Sequence, residues 1–237
     1  MSKEKNQKRI PRDSCIRCGT CCMKGGPALH QEDKNILLAG HVGHQHLITI
    51  RKGELAFNPV SGKLEPVPRE LIKVQGKGKG WACCFYNKKE ASCAIYAHRF
   101  IECRLLKCWD TSELISVIGK NTIIRTDIIN SDDPIMRVIK THEQECSYHE
   151  VENLISDLSQ GTDKSKALAK LTELVHKDLA IRSFAISELE LKKEFELFIF
   201  GRPLFKVLSD RGLSVRLANG GNSPEVELFL SKSSRVM

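Results

Sequence analysis

The chain has 237 residues, ten of which are cysteine, and a formal net charge of +8. Its hydrophobic fraction of 41% is enough for one sizeable domain or two small ones. No apolar stretch approaches the roughly 18 residues that a membrane-spanning helix needs. Residues 1–12 also lack the apolar centre of a secretory signal. We therefore expect a globular protein of the cytoplasm with no membrane partner.

The positive charge is typical of proteins that bind nucleic acid, because clustered Lys and Arg attract phosphates. Several basic residues lie next to cysteines, however, where they would offset the negative charge of thiolates. These residues are Arg17, Lys24, Arg99, Arg104 and Lys107. Arg99 and Arg104 are our candidates for contact with a bound cofactor, and solvated charge is the alternative for each basic residue. Nucleic-acid binding therefore has only weak support.

The first half of the chain alternates cysteine groups with short predicted elements. After the cysteine-rich segment 15–22, Gly25-Gly26-Pro27 predicts a break, and a short helix is expected within residues 31–40. Short apolar runs separated by turn residues predict strands and hairpins over residues 47–74. Residues 76–80 are expected to form a flexible loop that leads to the second cysteine group.

The second half has helical periodicity. Asp110 or Thr111 is placed to cap a helix, and Thr162-Asp163 is placed to begin a longer one. Ser187 is expected to cap a further helix that ends at Gly201. A small hairpin is predicted from residues 213–217 and 225–230, on either side of residues 219–222.

These elements predict an α+β fold, in which a cysteine-rich region with short strands precedes a mainly helical region. The predicted divisions are a disordered basic arm (1–14), a metal-binding domain (15–110), a helical region (111–212), and a small hairpin with a tail (213–237).

Clustered cysteines in a reducing compartment favour metal binding or redox chemistry over structural disulfides. Two cysteines spaced C-x-x-C can place both sulfurs on one ion, and thiolates are good ligands for zinc and iron. The predicted metal ligands are Cys15, Cys18, Cys21, Cys22, Cys84, Cys93, Cys103 and Cys108. Because adjacent side chains diverge, Cys21 and Cys22 favour different metals, or different irons of one cluster. Two neighbouring centres are therefore a possible arrangement.

The motif C-x-x-C-x-x-C-C of Cys15–Cys22, the Cys84-x8-Cys93 spacing, and Arg99 followed by Cys103-Arg104 resemble the CxxCxxCC cysteine-cluster family (YkgJ-like). The resemblance covers roughly residues 15–110. It implies a domain that chelates zinc or iron, or holds an iron–sulfur cluster. The family pattern has Arg-Pro where this chain has Arg99-Phe100, so the turn before Cys103 is expected to be less rigid.

Other residues could contribute ligands. His41, His44 and His46 could bind a metal if their loop folds towards the cysteines, and a polar loop is the alternative. His98, between Cys93 and Cys103, could lie beside the centre or complete an open site. Cys83 is ambiguous because Cys84 has the family spacing, and Cys146 lies outside the region of resemblance.

Two functions remain open. One is an iron–sulfur or iron protein that acts in electron transfer or metal-dependent modification, with a redox or protein partner. The other is a zinc-stabilised interaction module without catalysis. Motifs of the standard enzyme classes, such as HExxH, GxSxG or GxGxxG, are absent from the sequence, so enzymatic activity stays undecided.

Overall fold

A computed structural model describes residues 14–160, 163–220 and 223–230. The predicted arm and tail therefore lie almost wholly outside the described residues. The described chain has the predicted α+β character, with short antiparallel strand pairs in its first half and long helices in its second. No helix in these ranges is long and apolar enough to cross a membrane.

The strands of the first half form four separate antiparallel pairs. The strands are β1 (Leu47–Ile50), β2 (Leu55–Asn58), β3 (Lys63–Pro66), β4 (Leu71–Val74), β5 (Gly76–Lys77), β6 (Ala82–Cys83), β7 (Tyr86–Asn87) and β8 (Ser92–Cys93). β1 pairs with β4, with Leu47 opposite Val74, and β2 pairs with β3 in the connection between them. The strands predicted over residues 47–74 are therefore confirmed.

β5 pairs with β6, and β7 pairs with β8, placing Cys83 opposite Gly76 and Cys93 opposite Tyr86. The expected flexible loop of residues 76–80 is instead partly strand, because its first two residues pair with Ala82 and Cys83. These short ladders fix the positions of two cysteine groups.

The helices are α1 (Lys34–Leu38), α2 (Ile101–Leu105), α3 (Ser112–Val117), α4 (Ile135–Glu145), α5 (Tyr148–Gln160), α6 (Lys164–Glu188), α7 (Glu196–Phe200) and α8 (Leu204–Asp210). Asp163 caps α6 as expected, since its Oδ1 accepts a hydrogen bond from the Lys166 N–H at 3.0 Å. The chain then forms the predicted hairpin, with β9 (Leu213–Gly220) antiparallel to β10 (Ser223–Leu230).

The helix start predicted at Ser187 is wrong. Ser187 lies in the last turn of α6, where its hydroxyl contacts Glu188, and the next helix begins at Glu196. The buried face of α6 continues as far as Ala185, so packing carries the helix through the serine. The predicted end at Gly201 is confirmed: this glycine has φ +69°, and a Cβ there would lie 2.7 Å from the Thr49 carbonyl oxygen.

Two hydrophobic cores hold the chain together. The first joins β1 and β4 to α4 and α7, through side chains such as Leu47, Ile72, Ile139 and Phe198. The second packs α5, α6 and α8 against β9 and β10. Because the first core contains residues from both sides of position 110, the β1–β4 pair is anchored on the helical region.

Candidate metal centre

The N-terminal cysteines lie on a loop that runs into a 3₁₀ turn, Cys22–Lys24. Gly19 in this loop has φ +75° and lies directly against Tyr86, where a Cβ would approach the phenol oxygen to 1.8 Å. Only glycine combines this conformation with so close a contact. The 3₁₀ turn packs on β6, which ends at Cys83. The loop is thus placed next to the second cysteine group.

Two carboxylates fix the position of α2, the helix that carries Cys103. The Asp33 carboxylate accepts hydrogen bonds from the Ile101 N–H at 2.9 Å and the His30 N–H at 3.0 Å. The Glu102 carboxylate accepts the Ala28 N–H at 2.9 Å and contacts His30 Nε2 at 3.1 Å. This bond to Glu102 raises the pKa of His30, although burial opposes the effect. Both carboxylates fix α2 on the segment that directly follows the N-terminal cysteines.

Six cysteines form what we call the thiol cluster, in which each side chain is close enough to others to interact electrostatically. Its members are Cys21, Cys22, Cys83, Cys84, Cys93 and Cys103. Cys21 and Cys22 have their sulfurs 3.9 Å apart. Five of the six were predicted as ligands, and the structure adds Cys83.

Four thiols of the cluster, Cys22, Cys83, Cys93 and Cys103, have raised pKa values and resist ionisation in the absence of a cation. Burial, together with the neighbouring Cys21, raises the pKa of Cys22 to about 12. Burial and nearby thiolates also raise the pKa values of Cys93 and Cys103. Cys84 is the exception, because a hydrogen bond from the Cys83 thiol lowers its pKa. A divalent metal would reverse this balance, since it binds thiolates and displaces their protons.

The sulfurs of the thiol cluster lie near one another, but no three of them are within 4.8 Å of one another. Among the described residues, the only three potential ligand atoms found within 4.8 Å of one another belong to His142, Cys146 and Asp178. All ten cysteines are free thiols. The donor set fits a thiophilic metal, because thiolates are soft ligands.

The remaining predicted ligands are exposed. Cys15 accepts a hydrogen bond from the Arg17 N–H at 3.4 Å, and the Cys18 sulfur lies 3.3 Å from the Thr20 hydroxyl. Cys108 lies in the turn between Lys107 and Asp110, which precedes α3. Their role as ligands stays a prediction.

Of the two arginines predicted to contact a cofactor, Arg99 precedes α2 and Arg104 lies within it. Arg99 packs on the Tyr96 ring, 3.9 Å from its centroid, and its charge acts on Cys93. Arg104 is exposed and close enough to Asp33 to favour the ionised carboxylate. Phe100, which stands where the family pattern has proline, is buried in the first core, so packing holds the turn before Cys103.

The histidines of residues 41–46 do not converge on one point. His41 stacks on His98 with ring centroids 3.5 Å apart, whereas His44 stacks on Phe198. His46 packs on Phe85, and its carbonyl lies 4.0 Å from the Cys84 sulfur. A joint three-histidine site would require this loop to refold.

The close group of His142, Cys146 and Asp178 is a second, fully buried site. Asp178 accepts hydrogen bonds from His142 Nε2 at 2.6 Å and from Arg182 Nε at 2.9 Å. Burial raises the pKa of Cys146 to about 12. With its carboxylate already paired and arginine nearby, this group fits a structural hydrogen-bond network better than a cation site.

These features define a cysteine-rich domain of short hairpins anchored on a helical region. Residues 14–128 match the family model CxxCxxCC, described as "Putative zinc- or iron-chelating domain". The matching model is that of the family that the cysteine motif resembles, and it covers a little under half of the chain. Neither the curated proteins nor the solved structures contain a significant match. The family supports metal binding through cysteines, with zinc or iron as the metal.

Sequence reasoning missed Cys83 as a member of the cluster because the motif spacing selects Cys84. The available signal was its position next to Cys84, since two adjacent thiols project to different sides and either could face the partner cysteines.

Proposed function

We propose that the thiol cluster holds an iron–sulfur or iron centre used in electron transfer or metal-dependent modification. The observation that carries the proposal is the gathering of six thiols from four separate chain segments. A tetrahedral zinc ion uses four ligands. Six neighbouring thiols, with three more exposed cysteines available, favour a polynuclear assembly such as an iron–sulfur cluster.

The proposal places the protein in a reducing compartment such as the cytoplasm, because metal ligation requires thiolates and not disulfides. Cys15, Cys18 and Cys21 are exposed on the same loop. A redox or protein partner could therefore approach the centre from this side.

A zinc-stabilised interaction module is the second candidate. It is favoured by the size of the β5–β6 and β7–β8 pairs, whose strands have two residues each. An isolated hairpin of this length is not stable in water. A structural metal would then hold these loops together, with no open coordination position for chemistry.

Anaerobic purification followed by iron, zinc and inorganic sulfide analysis tests the proposal. We expect iron with sulfide and broad visible absorption in the wild type, and loss of both in Cys22→Ser. Cys146→Ala is the matched control, because Cys146 is a buried cysteine of the second core. A colourless wild type that retains zinc would support the interaction module, and a metal-free protein would contradict both functions.

A further inference from the structure

Two arginines from distant parts of the sequence contact one tyrosine at the edge of the thiol cluster. The Arg17 guanidinium lies 4.2 Å from the centroid of the Tyr96 ring, and that of Arg99 lies 3.9 Å from it. Arg17 is exposed on the N-terminal cysteine loop, whereas Tyr96 and Arg99 are half-buried between Cys93 and α2. Two positive charges therefore lie within 4.2 Å of the centre of one ring.

Neither guanidinium forms an ion pair with a carboxylate within the part of the chain that the structure describes. Arg99 Nε instead donates a hydrogen bond to the Tyr96 carbonyl, at 3.1 Å. The buried arginines behave differently, because Arg125 contacts Glu70 and Arg182 contacts Glu196. A cation pair without an acidic partner is therefore a local feature of this surface.

The pair is held in place before any ligand arrives. Arg17 has φ +56°, a left-handed conformation that is uncommon for a residue with a side chain, and its N–H donates to the Cys15 sulfur. Stacking on an aromatic ring restrains a guanidinium while leaving its N–H edge available. Each guanidinium edge carries N–H donors of the kind that bind carboxylate and phosphate oxygens.

We propose that Arg17, Tyr96 and Arg99 form a binding site for an oxyanion, the carboxylate or phosphate group of a small ligand that approaches the thiol cluster. The site goes beyond metal binding, because it supplies recognition of a second, negatively charged molecule. His98, which is exposed and stacked on His41, extends the same surface without adding an acidic group.

Isothermal titration calorimetry of the purified holoprotein with inorganic phosphate and with malonate tests this site, with ionic strength kept constant by potassium chloride. We expect saturable binding of at least one anion, weakened at least tenfold in both Arg17→Gln and Arg99→Gln. Arg137→Gln is the matched control, since Arg137 is an exposed arginine on α4, away from the cysteine loop. Its affinity should equal that of the wild type.

The two titrations distinguish the sources of the anion. Binding of phosphate alone indicates a phosphate-bearing ligand, and binding of malonate alone indicates a carboxylate. Absence of saturable binding to both, or equal weakening in Arg137→Gln, would overturn the proposal. Metal analysis of every sample keeps the two proposals separate. If the arginine variants lose metal and the wild type binds neither anion, the arginines are counter-ions of the thiolates. That result would reject only the anion site.

Discussion

Cys83 and Cys84 are neighbours in sequence but have different surroundings. Cys83 ends β6, is buried, and interacts with Cys22 and Cys103. The Cys84 sulfur instead lies 4.0 Å from the His46 carbonyl. The two thiols nevertheless contact each other, since Cys83 donates a hydrogen bond to Cys84.

We expect Cys83→Ser to lower the metal content of the protein as strongly as Cys22→Ser, because both thiols face the same neighbours. Metal analysis of anaerobically purified variants provides the measurement, with Cys146→Ala as the control. Full metal content in Cys83→Ser would show that Cys83 is a packed thiol of the first core.

Gly26 provides a second residue-scale prediction. It is buried directly after the N-terminal cysteines, and a Cβ there would lie 2.5 Å from the Val74 carbonyl oxygen. Because this contact is to strand backbone, we expect Gly26→Ala to destabilise the protein by about 1–3 kcal/mol. Gly80 has open space around it, so Gly80→Ala should change stability by less than about 0.5 kcal/mol. Urea unfolding of both variants checks this, and equal stabilities would contradict the close contact.

At the scale of elements, α4 and α6 meet through a buried hydrogen bond between His142 and Asp178. His142 on α4 contacts Asp178 on α6, and Arg182 and Arg51 carry the nearby positive charges. Burial lowers the pKa of His142 below the ordinary 6.5, although the bond to Asp178 opposes this effect. The imidazole is thus neutral in the folded protein and donates its Nε2 hydrogen to the carboxylate.

The lowered pKa of His142 has a defined consequence for stability. Between that pKa and 6.5, the unfolded chain binds a proton at His142 that the folded protein does not bind. The contribution of His142 to the free energy of unfolding is therefore complete above pH 6.5. It is lost progressively as the pH falls from 6.5 through the lowered pKa of the folded protein.

Urea unfolding on both sides of pH 6.5 measures this contribution. We expect the wild type to lose more stability on acidification than His142→Gln, whose amide can still donate to Asp178 but does not titrate. Equal losses in the two proteins would show that His142 does not control the acid response.

At the scale of the whole molecule, we expect the two cores to depend on metal to different extents. The hairpins that carry Cys83 and Cys93 are short, whereas α6 has seven buried residues along its length. Metal bound by the thiol cluster would close the loop between the N-terminal cysteines and these hairpins, and it would therefore restrain that region most.

We expect removal of metal by a chelator to increase hydrogen exchange in residues 15–110 more than in α6. Hydrogen exchange with and without chelator, followed by mass spectrometry, gives the comparison, with α6 as the internal reference. Unchanged protection in residues 15–110 would show that metal has no part in folding this region. The β1–β4 pair should be the least affected part of it, since it packs on α7 in the first core.

The sequence by itself determined the elements whose signals are local. The turn residues between apolar runs predicted β1 to β4, Asp163 marked the start of α6, and Gly201 marked the end of α7. The cysteine spacing likewise predicted the family and five members of the thiol cluster. These features follow from backbone preferences and from motif spacing, which a chain carries before it folds.

Only the tertiary structure decided which side chains meet. It brought Cys83 towards Cys22, placed Arg17 beside Arg99 on one tyrosine, and separated His41, His44 and His46 onto different neighbours. It also carried α6 through Ser187, where a local cap signal had predicted a new helix. Such outcomes depend on contacts between residues far apart in sequence, and burial in a shared core outweighs the weaker local preferences.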